Sequence, residues 1–222
     1  MASDVDAQRE ATHFKNRVLD LVDTFIKRQP TSPLNLRLII PLIEIVSSAS
    51  SDERQLADKT RGILRTRLGK SKEIPLNVDL DYAKTVLDTV HTRARKSHPA
   101  EVLPSLSQSS IYLSRIILHH NAKEALLETY RQSLVDFLTR KNSALNSAFF
   151  QDFLQRFPSS GWCLRDDLLD LSTKAVNTYR QCQALHLVEV LLNSLPTVGI
   201  CHLSIFPMMA HFNTGRYASR SR

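Results

Sequence analysis

Between Phe14 and Leu68 the chain repeats one pattern three times: an apolar run with helical spacing, followed by a short polar or proline-containing break. Residues that recur every three or four positions share one face of a helix, so this stretch predicts three helices. In the first, Phe14, Val18, Leu21 and Phe25 form one stripe and are expected to be its buried face. The break Gln29-Pro30-Thr31-Ser32-Pro33 ends that helix, and Pro33 is expected in the first turn of the next, where a fixed φ and a missing donor cost little. The run from Leu34 to Val46 is apolar on almost every side, which predicts an inner helix between two neighbours. Ser51 or Asp52 opens a third helix through Leu56, Ile63, Leu64 and Leu68, with acids at its start and Arg61, Arg65 and Arg67 towards its end, as the helix dipole favours.

The same alternation continues. Gly69 is expected to end the third helix in a left-handed conformation, and Pro75 prevents simple continuation. From Leu80 to Arg95 the buried set is expected to be Ala83, Val86, Leu87 and Val90, with Leu80, Lys84 and His91 on the other side. Further stripes run through Leu103, Leu106, Ser110, Leu113 and Ile117; through Leu127, Tyr130, Leu134 and Phe137; and through Phe149, Phe153, Leu154 and Phe157. After a stop at Pro158-Ser159-Ser160-Gly161 come Leu164, Leu168, Leu171 and Ala175, then Cys182, Leu185, Val188, Leu192 and Leu195. Consecutive helices with short links pack as antiparallel neighbours, so the expected fold is all-α: an irregular armadillo- or HEAT-like stack of antiparallel helical hairpins. Residues 1–10 are expected to be flexible or to extend the first helix, residues 11–76 to form the first module, residues 77–213 to continue the array and residues 214–222 to form a disordered basic tail. A short last helix is expected among Leu203, Ile205, Phe206, Met208 and Met209, and the array's end is expected to need cover from further polypeptide.

Chemistry is sparse. Three cysteines cannot all pair within one chain of 222 residues, which points to a reducing compartment. No stretch reaches the roughly 20 apolar residues that cross a bilayer, so no membrane association is expected. Asp166-Asp167 with Asp170, Cys182 with His186, Cys201-His202 and Gly69-Lys70-Ser71 each lack the partners that a metal site, a nucleophile or a phosphate loop requires. The reading is therefore a protein that is not an enzyme, with no catalytic residues, metal or cofactor. Two basic groups remain: Arg61, Arg65, Arg67, Lys70 and Lys72 after the inner module, and Arg93, Arg95, Lys96 and His98 after the next helix. Such groups ordinarily serve solubility. With a net charge of +7 they also suit nucleic-acid phosphates, and Arg61, Arg65, Lys70, Lys72, Arg93, Arg95 and Lys96 are the candidate contacts. An acidic protein partner is the other candidate.

Three segments taken in order, FKNRVLDLVDTFIKRQP, PLNLRLIIPLIEIV and QLADKTRGILRTRLGKSKEIP, carry a family resemblance. The chain resembles the DNA polymerase phi, fungal DNA polymerase V and Myb-binding protein family, in the C-terminal part of its conserved region. The specific likeness covers residues 11 to 76, with a looser one through about residue 195. Members are much longer and carry acidic tracts absent here, so a fragment, a truncated product or a divergent short copy is expected. The resemblance implies an armadillo- or HEAT-like scaffold in the nucleus and nucleolus. It implies work in ribosomal RNA transcription and ribosome biogenesis, nucleolar or pre-ribosomal protein partners, and contact with ribosomal DNA or RNA. The alternatives are a DNA-directed DNA polymerase, as the family's name suggests, and a general protein-interaction module without nucleic acid. No polymerase site can be carried across, because no acidic pair stands in a nucleotide-binding context.

Overall fold

The computed structural model describes residues 2–194, and among these every regular element is helical. In chain order they are α1 (Ala2–Arg28), α2 (Leu34–Ser48), a 3-10 turn (Ser51–Glu53) leading into α3 (Arg54–Ile63), and a π-helical turn (Leu64–Gly69) that continues α3. Then come α4 (Leu80–Arg95), α5 (Leu103–His119), α6 (Lys123–Thr139) and α7 (Ser147–Arg156). A short turn α8 (Pro158–Gly161), a 3-10 turn (Trp162–Leu164), α9 (Arg165–Thr173) and α10 (Thr178–Ser194) complete the set.

Two layers result. The first helices of successive hairpins, α2, α4, α6 and α9, pack side by side, and so do the second helices, α3, α5, α7 and α10, with α1 preceding them against α3. The first helices begin at Leu34, Leu80, Lys123 and Arg165, a spacing of 42 to 46 residues. That is the length of a HEAT or armadillo unit and exceeds the 34 residues of a tetratricopeptide unit. The fold is thus the expected irregular stack. Side-chain caps set several boundaries: Asp79 accepts from the amides of Asp81 and Tyr82 at the start of α4, and Asn146 accepts from Phe149 at the start of α7.

Within α2, Asn35, Leu36, Ile39, Leu42, Ile43 and Val46 are buried, and Leu38, Ile40 and Ile45 pack partly against the core, so this helix has neighbours on two sides as expected. Pro33 stands one place earlier than predicted, as the cap residue, and Pro41 lies within the helix on its exposed side. The most enclosed helix is α5. It buries Leu103, Leu106, Ser110, Leu113 and Ile117 as predicted, and four further serines, whose small side chains let neighbouring helices approach closely. Ile39 is fully buried and Leu38 only partly so. Ile39→Ala is expected to destabilise the fold by about 2–4 kcal/mol and Leu38→Ala by clearly less. Denaturant unfolding of both variants checks this ordering.

Several predicted faces are corrected. In α1 the buried residues are Leu19 and Ile26, whereas Phe14, Val18 and Leu21 face outward, because α3 packs on the other side of the helix. In α10 the buried residues are Ala184, Leu187 and Leu191, and Cys182, Leu185 and Leu192 are exposed, because α7 and α9 both pack on the opposite face. His91 is fully buried with the apolar face of α4 rather than turned from it. Gly69 is not left-handed; a β-carbon there would stand 2.5 Å from Oε1 and 3.1 Å from Cβ of Gln108, so that side chain would have to shift. The one non-glycine residue with positive φ among those described is Asn121, at 58°, where the chain leaves α5 for α6. Pro158-Ser159-Ser160-Gly161 forms a helical turn instead of a stop, and Ala175 falls beyond the end of α9. Leu195, Cys201-His202, the short last helix and the basic tail lie outside the described residues.

Candidate nucleic-acid interface

Helix α3 carries Arg54, Arg61 and, one residue into the π turn, Arg65. Offsets of seven and eleven residues place these three on one face. That face looks across at the start of α5 and at the loop from α4. Two clefts lie there. One, of about 320 Å³, is lined by Asp58, Arg61, Gly62, Arg65, Pro104, Ser105 and Gln108. The other, of about 370 Å³, lies between the end of α2 and the loop before α5, and is lined by Arg54, Arg61, Pro99 and Glu101 among others. Arg61 is the wall they share.

The charges are unequally available. Arg61 pairs with Asp58 at 2.5 Å and with Glu101 at 3.1 Å. Arg93 pairs with Glu44 at 2.7 Å, and Arg95 donates to the Thr92 hydroxyl at 3.0 Å. Arg65, Lys70, Lys72 and Lys96 are exposed and form no ion pair with a described residue. Arg67, set aside from the candidate contacts, is held by Asp23 in a two-point ion pair, which lowers the Asp23 carboxyl below its ordinary range.

The two basic groups follow different elements. Lys70 and Lys72 follow the π turn, whereas Arg93, Arg95 and Lys96 lie at the far end of α4, where Arg140 donates to the Arg95 carbonyl. Arg61 reaches the loop after α4 through its ion pair with Glu101. Arg54 and Arg140 were not anticipated; Arg54 was legible as a helical neighbour of Arg61, but the meeting of Arg140 with Arg95 depends on α4 and α6 lying side by side.

One cluster has the distances of a catalytic dyad. His91 stands 2.8 Å from the hydroxyl of Ser133 through Nδ1 and 2.8 Å from that of Ser110 through Nε2, and Ser110 is 2.8 Å from the Tyr130 hydroxyl. Every one of these residues is at most 1% exposed, so no substrate reaches them and the network holds α4, α5 and α6 together. Burial drives the His91 pKa down to about 3. The carboxylates considered for metal binding diverge into ion pairs: Asp166 with Arg165, Asp167 with Arg131 and Asp170 with Lys174. Among the described residues no three histidine, cysteine or acidic side chains converge as metal ligands, and no helix is long and apolar enough to cross a membrane.

Fold and surface together define a helical-repeat protein of the armadillo and HEAT kind that presents open, charged clefts between successive hairpins. The chain belongs to the family described as Myb-binding protein 1A-like, TPR repeats, whose model matches residues 29–198. It is 27% identical over 189 residues to the Myb-binding protein 1A-like protein of Danio rerio, covering 77% of this chain and 15% of that protein. It is 26% identical over 150 residues to the rDNA transcriptional regulator pol5 of Schizosaccharomyces pombe, covering 65% and 15%. Against Myb-binding protein 1A of Homo sapiens the identity is 24% over 183 residues, covering 65% and 14%. The chain therefore spans about one seventh of the length of these relatives. No solved structure matches it.

Proposed function

We propose that the chain serves without catalysis as a binding scaffold of the nucleolus, in ribosomal RNA transcription and ribosome biogenesis. In this reading it holds nucleolar or pre-ribosomal proteins and touches ribosomal DNA or RNA through phosphate contacts. The observation that carries this is family membership, with a relative named as a regulator of rDNA transcription. The unpaired side chains of Arg65, Lys70, Lys72 and Lys96 support the nucleic-acid part. Contacts of this kind attract the backbone without reading bases, so binding is weak, sequence-tolerant and salt-sensitive.

Titration of labelled ribosomal DNA duplex and ribosomal RNA at several salt concentrations tests it. Replacing Arg65, Lys70 and Lys72 together by Gln is expected to weaken both ligands and to lower the salt slope on duplex by about 2–3. Replacing Arg61 or Arg93 costs less, since Arg61 is already paired with two acids and Arg93 with one. Absence of binding to either ligand at low salt would remove the nucleic-acid part and favour an acidic protein partner. A tagged chain expressed in cells is expected to concentrate in the nucleolus. The polymerase alternative gains no support from the arrangement of carboxylates.

A further inference from the structure

Helix α1 has two apolar faces and uses one. Leu19 and Ile26 pack on α3 and the π turn, while Phe14 is 68% exposed, Val18 40% and Leu21 71%. Ion pairs of Lys15 with Glu53 and of Lys59 with Asp20 fix how the helix sits, so the outer stripe is held in place. At 100° per residue, Phe14, Val18, Leu21 and Phe25 lie within an arc of about 60°, roughly 120° from the packed face, and Phe25 alone of the four already packs in part against the core. A helix that is apolar on two sides is suited to a neighbour on each. In this fold α1 holds the place of a second helix in a hairpin, and what such a place receives is another helix.

We infer that the outer stripe of α1 is a self-association surface, on which the α1 of a second copy lies antiparallel. Two features of the sequence on this face select that occupant. The stripe is spaced four, three, four, which reads the same in both directions, so a two-fold axis between Val18 and Leu21 sets Phe14 against Phe25 of the copy and Val18 against Leu21 of the copy. The same axis brings Glu10 of each chain to the level of Arg28 in the other. Glu10 and Arg28 lie at one angle on one edge of the stripe, both exposed and neither paired with a described residue. An antiparallel pair joins like edges, so two interchain ion pairs close the two ends. Arg17 is on that edge as well and remains at the solvent rim.

A seam of about three turns is small against the roughly 1,200 Å² that stable interfaces bury, so the dimer is reversible, with dissociation in the micromolar range. Sedimentation of the intact chain across low to high micromolar concentrations is expected to show a monomer–dimer equilibrium. Leu21→Asp should weaken it at least about tenfold, by desolvating a carboxylate in the seam. Arg28→Glu should weaken it less, and adding Glu10→Arg should restore it, because the exchanged charges meet again across the axis. Circular dichroism melts confirm that each variant folds as the parent does. A chain that stays monomeric throughout overturns the inference and leaves the stripe to a helix from elsewhere. So does a dimer indifferent to Leu21→Asp, or a doubly exchanged variant no better than Arg28→Glu alone.

Discussion

Arg115→Ala is expected to lower the unfolding free energy by about 3–5 kcal/mol, among the largest losses available from a single polar side chain in this protein. At the end of the π turn the Leu68 carbonyl accepts from the Ser71 amide at 3.2 Å, and the last carbonyls gather at the negative end of a helix dipole. Arg115, reaching from α5, donates to the carbonyls of Leu68 at 3.1 Å, Gly69 at 2.7 Å and Ser71. Arg156 adds a bond from α7 to Gly69 at 3.3 Å. No acid neutralises Arg115 there, and burial, followed by the Arg156 charge, pulls its pKa below the ordinary value. The guanidinium is thus stabilised by peptide dipoles, and its fork is what lets one side chain serve three carbonyls. Arg115→Met, which keeps the stem, should recover only the packing part of the loss, and Arg115→Lys should fall between. If guanidinium denaturation showed Arg115→Ala within about 0.5 kcal/mol of the parent, the clamp would not be holding α5 to the π turn.

The second large effect is acid sensitivity. His91 is fully buried between two serine hydroxyls, and its folded-state pKa lies at about 3 against an ordinary 6.5. The folded chain therefore binds this proton less readily than the unfolded chain. Its stability is fully present above pH 6.5 and falls as pH drops through the interval down to about 3. The loss approaches the limiting slope of one proton and reaches on the order of 4 kcal/mol by pH 3.5 from this group. Paired carboxylates such as Asp23 add their own loss at the acid end, so the informative quantity is the difference from His91→Asn. That variant should be less stable at pH 7 and show a flatter decline between pH 6.5 and 4.5. Parallel pH profiles for the two proteins would sink the assignment.

Both predictions concern residues that the apolar pattern passed over. The pattern located the helices well, because a stripe with a period near 3.6 demands burial whatever lies opposite. It identified α4 to the residue, the buried stripes of α5 and α6, and the cores of α2 and α3. It failed where a helix carries two apolar faces. In α1, Phe14 and Leu21 form as good a stripe as Leu19 and Ile26, and only the position of α3 chooses between them. In α10, Leu185 and Leu192 lost to Leu187 and Leu191 for the same reason. The candidate contacts divide in a like manner. Helical spacing alone sets Arg61 and Arg65 on one face, whereas the neutralisation of Arg61 by Glu101 and of Arg93 by Glu44 spans 40 and 49 residues.

By itself, the sequence determined the helical content, the breaks other than Pro158–Gly161, the all-α hairpin stack and the family, since each rests on local spacing or on runs of matching residues. Tertiary structure alone decided which face of α1 and α10 is buried, that Arg115 clamps the π turn, that Gly69 lies against Gln108, and that His91 sits between Ser110 and Ser133. The physical reason is common to all four. Helix periodicity is a property of one segment, but hydrogen bonds, close approaches and ion pairs between residues tens of positions apart depend on how segments are laid against one another, and many layings satisfy the same stripes.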